Sequence, residues 1–177
     1  MKIIGIAVIV VVVAVLVYAS TQPDTFEIHR STSIKAPPEK IFPFLNDFRQ
    51  AMLWSPYEKK DPAMKRSFSG PAGGKGSVYE FEGNKDIGAG RLEILDSVAD
   101  SRVTLRLDMH KPFKGSNIIE YALEPKGETT DMIWSMHGEA PFISRVICLF
   151  MNMDNMVGKD FEAGLASLKS LVESGAP

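Results

Sequence analysis

One cysteine, Cys148, is present among 177 residues. No intrachain disulfide can form, so bridges say nothing about redox compartment. Histidine is almost as scarce. His29, His110 and His137 fall on three different predicted strands or strand ends, and none has a partner at a ligand spacing such as His-x-x-x-His, so no metal site is expected. A dense Lys/Arg block is missing too. Only Lys2 precedes residue 20, which leaves 19 basic and 22 acidic side chains in the rest of the chain, net −3. Neutralising phosphates needs a basic face, so nucleic acid is not an expected partner. There is no Gly-x-Ser-x-Gly elbow and no reactive-cysteine setting, so no catalytic residue is singled out. The glycine-rich stretch Gly70-Pro71-Ala72-Gly73-Gly74-Lys75-Gly76-Ser77 fails phosphate-loop spacing. A strand follows it rather than a helix N-terminus, so it reads as a hairpin turn. No cofactor is expected.

What is present begins with a greasy terminus. Residues 3–19 carry no charge and are mostly Val, Ile, Leu and Ala. As a helix these 17 residues would extend about 25 Å, the short end of a bilayer crossing. Two readings stand: an anchor that stays in the membrane, or a signal segment cleaved after Ala19. The anchor is preferred, because the run is long for a signal peptide and its polar end is minimal. Either way residues 3–19 are the expected membrane contact. The rest of the chain is expected on the extracytoplasmic side, since the positive end stays inside. Residues 20–25 form a short polar linker.

From residue 26 the pattern is α+β. Phe26, Ile28, Thr32 and Ile34 alternate against Glu27, His29, Ser31 and Ser33, which predicts a strand, with Arg30 an exception on the apolar side. Ala36-Pro37-Pro38-Glu39 starts a helix carrying Ile41, Phe42, Phe44, Leu45 and Phe48. Trp54-Ser55-Pro56-Tyr57 reads as a loop or short helical turn with two exposed aromatics. Six strands follow, at 64–69, 77–82, 90–98, 102–109, 116–123 and 130–137. Their one-sided alternation implies an antiparallel sheet with one wet face. From 144 to about 173 the period becomes helical, through Val146, Phe150, Met153, Val157, Phe161, Leu165, Leu168 and Val172. Cys148, in the apolar run 146–150, is expected to be a small buried hydrophobe. The long helix is the cover the apolar sheet face requires.

In this order of elements the sequence resembles the SRPBCC superfamily, which includes START lipid-transfer domains, polyketide cyclases and pollen-allergen-like proteins. The residues that carry the resemblance are Ser33-Ile34-Lys35-Ala36-Pro37-Pro38-Glu39-Lys40-Ile41-Phe42, Trp54-Ser55-Pro56-Tyr57 and Phe161-Glu162-Ala163-Gly164-Leu165-Ala166-Ser167-Leu168-Lys169. The resemblance implies a helix-grip fold over 26–174, with a seven-stranded antiparallel sheet wrapped around a long C-terminal helix and an apolar cavity between them. It also implies a hydrophobic ligand, a lipid or other small molecule, while leaving function open, because this fold hosts carriers, receptors and enzymes alike. Candidate cavity residues are Trp54, Tyr79, Phe81, Tyr121, Met132, Trp134, Met136, Phe150, Met153 and Val157. Inward polar candidates are Arg30, Tyr79 and Tyr121, with His137 or Asp108 if the facing is reversed. Glu80 and Glu82 are expected in solvent. Three readings follow. The first is a tethered, non-catalytic binder of a hydrophobic molecule. The second is a cyclase or dehydratase acting on an aromatic substrate. The third is an interaction protein with a filled core that uses its Met-rich helix half.

Overall fold

The computed structural model describes residues 2–149 and 153–175, with residues 2–4, 7, 8 and 153 described in backbone alone. Helix α1 (Lys2–Ser20) leads into strand β1 (Thr25–Ile34). Three short helices follow, α2 (Pro38–Asn46), α3 (Phe48–Ala51) and α4 (Pro56–Lys60). Then come β2 (Lys65–Ser69), β3 (Val78–Glu82), β4 (Ala89–Val98), β5 (Arg102–Lys111), β6 (Gly115–Lys126) and β7 (Thr129–Glu139). Helices α5 (Phe142–Cys148) and α6 (Met153–Glu173) end the chain.

The seven strands form one antiparallel sheet in the order β1-β7-β6-β5-β4-β3-β2. Period-two alternation decides its faces. Along β7, Thr130, Met132, Trp134 and Met136 are buried while the intervening residues are half-exposed. Register lines the inward residues into rows. Tyr121 stands opposite Trp134 and Val103 opposite Tyr121; Ile119 stands opposite Met136 and Leu105 opposite Ile119. A one-residue slip would turn each of these side chains to water, so the apolar pattern itself enforces the register. Register shifts at Ala89/Gly90 and Ile94/Asp96 on β4 bend the sheet. The bent face receives α6, which buries Phe161, Leu165 and Leu168 at steps of four and three residues. Gly164 sits within this buried stretch: a Cβ there would lie 2.7 Å from Trp134 Cζ3 and 3.1 Å from Pro56 Cδ. The helix can come this close only because that side chain is missing.

The structure corrects three expectations and keeps a fourth, Arg30 on the apolar side of β1. The C-terminal helix is not described as one rod from 144: α5 ends at Cys148 and α6 begins at Met153, with 150–152 outside the described residues. Cys148 is exposed, not buried; α5 packs on α1 and has no buried residue. Trp54 is 1% exposed, at the centre of the core. Arg30 reaches α6, where its guanidinium meets Glu162 at 2.8 Å and Asp154 at 3.0 Å. Gly158 makes room for it, since a Cβ there would lie 2.1 Å from Arg30 Nη2. That arginine ties β1 to the helix.

Helix α1 exposes Ile9, Val10, Val11, Val13, Val17 and Tyr18, and among its described side chains only Ala19 is fully buried. Its exit is fastened to the domain by Arg145 Nη1, which donates to the Gln22 carbonyl at 3.0 Å. Among the described residues no helix is long and apolar enough to cross a membrane. The expected membrane-spanning helix at 3–19 is therefore not found. Ile3, Ile4, Ala7 and Val8 of that stretch have side chains outside the described ones.

Candidate functional site

Between the bent sheet and α6 lies a cavity of about 820 Å³, open on one side. That is a volume typical of small-molecule sites. Its sheet wall follows the inward rows: Trp134 and Tyr121; Met136 and Ile119; Asn117, Leu107, Leu92 and Tyr79; Met109 and Phe81. The helical wall supplies Trp54 from the turn between α3 and α4, Tyr57 and Glu58 from α4, and Met156, Val157, Asp160 and Phe161 from α6. Ile87, Pro112 and Phe113 from two hairpins and Ser144, Ile147 and Cys148 from α5 add to the lining. A second recess near Phe48, Phe68 and Pro71 holds about 30 Å³, room for a water or two.

The deep end of the cavity is an aromatic cluster. Trp134 stacks on Phe161 at 4.0 Å between centroids and meets Trp54 and Tyr121 edge-on at 5.4 and 5.5 Å. Edge-to-face and offset contacts suit the ring quadrupoles, and they hold the wall rigid. Trp54 Nε1 donates to the Phe44 carbonyl at 2.9 Å, which pins this ring to α2. The Trp134 indole N–H is sealed and has no partner among the described residues.

Polar chemistry at the wall is mostly spent. Tyr79 donates its phenol to Glu58 Oε1 at 2.7 Å, and Glu58 is held in turn by Arg66 at 2.7 Å. Asp160 pairs with Lys60 at 2.7 Å. No group of three or more His, Cys, Asp or Glu that could hold a metal occurs among the described residues. Three tyrosines have ionisation pushed well above the ordinary range. Burial is the main cause for Tyr57, Tyr79 and Tyr121; Asp160 adds to it for Tyr57, Glu58 for Tyr79, and Tyr57 for Tyr121. Because the folded-state value is the raised one, their share of stability is complete below the ordinary tyrosine value of about 10. It is lost as pH climbs from there towards the folded-state value. In a titration followed by tyrosinate absorbance at 295 nm, these three hydroxyls should stay silent at pH 11 in the folded protein and ionise on adding urea. Ionisation of all three near pH 10 in the folded state would mean that they are solvated.

Of the ten candidate residues, Trp54, Tyr79, Phe81, Tyr121, Trp134, Met136 and Val157 line the cavity. Met132 does not. It is fully buried on the same face as Trp134, two residues nearer the start of β7, in the filled part of the core. Phe150 and the Met153 side chain lie outside the described residues. The facing is not reversed: His137 is exposed, and Asp108 is occupied by Ser116 at 2.6 Å and Arg106 at 3.0 Å on the other face. Glu80 and Glu82 are exposed, as expected. Sequence reasoning missed Tyr57, Glu58 and Asp160. The first two sit on a five-residue helix too short to show a period, and Asp160 meets Lys60 only across 100 residues of chain.

Residues 25–173 match the family described as polyketide cyclase / dehydrase and lipid transport. The comparison with curated proteins found no match. Among solved structures, the chain is similar to protein CV1439 from Chromobacterium violaceum, at TM-score 0.60 and 18% identity, covering 86% of this chain and 99% of that one. It is also similar to Aha1 from Colwellia psychrerythraea, solved as a dimer, at TM-score 0.59 and 22% identity, over 86% and 99%. A third likeness is to Ara h 8.0201, at TM-score 0.56 and 13% identity, over 85% and 99%. At these identities the likeness is one of fold, and it is the helix-grip fold of the SRPBCC superfamily.

Proposed function

The chain belongs to the polyketide cyclase / dehydrase and lipid transport family, and from that premise we propose that it binds a hydrophobic small molecule in its cavity without transforming it. The observation that carries this reading is the cavity itself, about 820 Å³ walled mainly by aromatic, aliphatic and methionine side chains. Its flexible methionines suit ligands of varied shape. Support for binding over catalysis comes from the wall carboxylates Glu58 and Asp160. Each is engaged by a cation at 2.7 Å, so neither is free as a general base. The cyclase reading keeps one observation: the Tyr57 phenol lies within electrostatic reach of Asp160. The filled-core reading is disfavoured by the cavity.

A further part of the proposal is tethering through residues 3–19, with the domain on the extracytoplasmic side. It is supported by the uncharged run and by the row of exposed aliphatic side chains on α1. Exposed apolar surface of that size calls for a partner or a bilayer. Full-length protein should sediment with membranes and resist carbonate extraction; recovery in the soluble fraction would remove the tether from the proposal.

Native mass spectrometry of the full chain purified from cells tests the binding. A bound, extractable hydrophobic molecule is expected. Protein that is empty and also ignores a lipid and aromatic panel would overturn the reading, and conversion of any panel member would move it to the cyclase reading.

A further inference from the structure

Buried polar groups in this domain have partners nearly everywhere. Thr130 donates to the Ala36 carbonyl at 2.7 Å, Ser77 to the Pro71 carbonyl at 2.8 Å, and Trp54 and Tyr79 are bonded as described above. Two phenols in the cavity depart from this. Tyr121, from β6, is 8% exposed, and Tyr57, from α4, approaches from the helical wall. Neither hydroxyl has a hydrogen-bond partner among the described residues. Neither is sealed in protein: the sealed, unpartnered side-chain atoms among those residues are Trp134 Nε1 and Arg145 Nε. Both residues line the cavity, and both hydroxyls keep accessible surface. They are also close enough to feel one another, since Tyr57 contributes to the raised ionisation of Tyr121. Two unpartnered donors lining one mostly apolar cavity are what orients a ligand.

The charges around the pair narrow the ligand further. Asp160 faces Tyr57, and its partner Lys60 is already held at 2.7 Å. Glu58 is held by Arg66. Lys85 and Asp86, the remaining charged lining residues, are exposed neighbours of opposite sign. An anionic head placed at the phenols would meet the Asp160 carboxylate, whose cation Lys60 is already engaged, after losing its hydration. A neutral acceptor meets neither cost. The phenols remain protonated donors because burial opposes their ionisation.

We infer that Tyr57 and Tyr121 form the polar anchor of the cavity, and that its ligand is an uncharged hydrophobe presenting a keto, ester or hydroxyl oxygen to them. This rests on the binding reading above. It goes beyond that reading by excluding free fatty acids and other carboxylates as preferred ligands.

Three probes of one body test it on the full chain in a mild detergent: 1-ethylpyrene, 1-acetylpyrene and 1-pyrenecarboxylate. Energy transfer from the two tryptophans, Trp54 and Trp134, both on the cavity wall, reports occupancy. Acetylpyrene should bind about ten-fold tighter than either other probe, the scale of one to two buried hydrogen bonds. The double variant Tyr57→Phe/Tyr121→Phe should lose that preference and keep its affinity for ethylpyrene, with detergent partition cancelling between the two proteins. Equal binding of the ketone and the hydrocarbon, a preference that survives the double variant, or tighter binding of the carboxylate would each overturn the anchor while leaving the cavity reading in place. Failure of all three probes would overturn both.

Discussion

Trp54→Ala is expected to lower the melting temperature of the domain by about 6–20 °C. The ring is 1% exposed and touches Tyr121 and Trp134 edge-on at 5.9 and 5.4 Å. Truncating a buried tryptophan costs about 3–5 kcal/mol, because the transfer free energy is lost and the site collapses only partly. Here the vacated space adjoins an existing cavity, and two of the neighbours that would have to move are large rings. A second loss adds to this. The Phe44 carbonyl loses the indole N–H that satisfied it at 2.9 Å, an unmade bond in a place water reaches poorly. Each kcal/mol shifts the midpoint of a domain this size by about 2–4 °C, which sets the range. Trp54→Phe separates the two contributions, since it keeps most of the ring and removes the donor; it should fall between wild type and alanine. Thermal melts of the three proteins decide the matter. A shift below about 2 °C for the alanine variant would mean that the ring does not occupy the core position described.

Leu107→Trp should reduce uptake of hydrophobic probes by more than an order of magnitude without lowering the melting temperature. Leu107 sits on the sheet wall between Leu92 and Asn117 and is half-buried only because it faces empty space. In a close-packed interior, adding an indole forces neighbours off their rotamers and costs about 1–3 kcal/mol. In a cavity of about 820 Å³ the same ring has room, and its added apolar surface leaves water. Stability and binding are therefore expected to part company, and that separation identifies a genuine void. A variant that melts several degrees lower would show that the space is not there in solution. Unchanged uptake would show that ligands lodge elsewhere. Met136→Lys is a second probe of the same wall: Met136 is 7% exposed and faces the cavity between Ile28 and Ile119, and a lysine there should abolish uptake in protein that remains folded.

Leu107 and Met136 are side chains whose facing was legible in the chain, whereas Trp54, read there as an exposed loop aromatic, is 1% exposed. Tyr79 with Phe81, Ile119 with Tyr121, and Trp134 with Met136 share faces because strand side chains alternate with period two. Once one residue of a strand is known to point inward, the rest follow. The seven cavity-lining candidates were reached this way, or through the Trp54-Ser55-Pro56-Tyr57 stretch and the helical period that runs through Val157. The period could not say where along an inward row the interior is filled and where it is empty. Met132 and Trp134 read alike, yet one is packed into the solid core and the other borders the void. The same limit hid the facing of Tyr57, on a helix of five residues, and the setting of Cys148, whose apolar neighbours lie on a helix turned towards α1 instead of the sheet.

The sequence by itself determined the order of the elements, the inward face of each strand and the need for one long covering helix, because these depend on the spacing of apolar residues a few positions apart. It also excluded a disulfide, since a single cysteine has no partner in the chain. Tertiary structure alone decided that sheet and helix stand apart far enough to leave a cavity, that Gly164 lets α6 close on Trp134, and that Tyr57 and Tyr121 line the same cavity from opposite walls. These depend on the bend of the sheet and on distances between residues tens of positions apart, which no local period encodes.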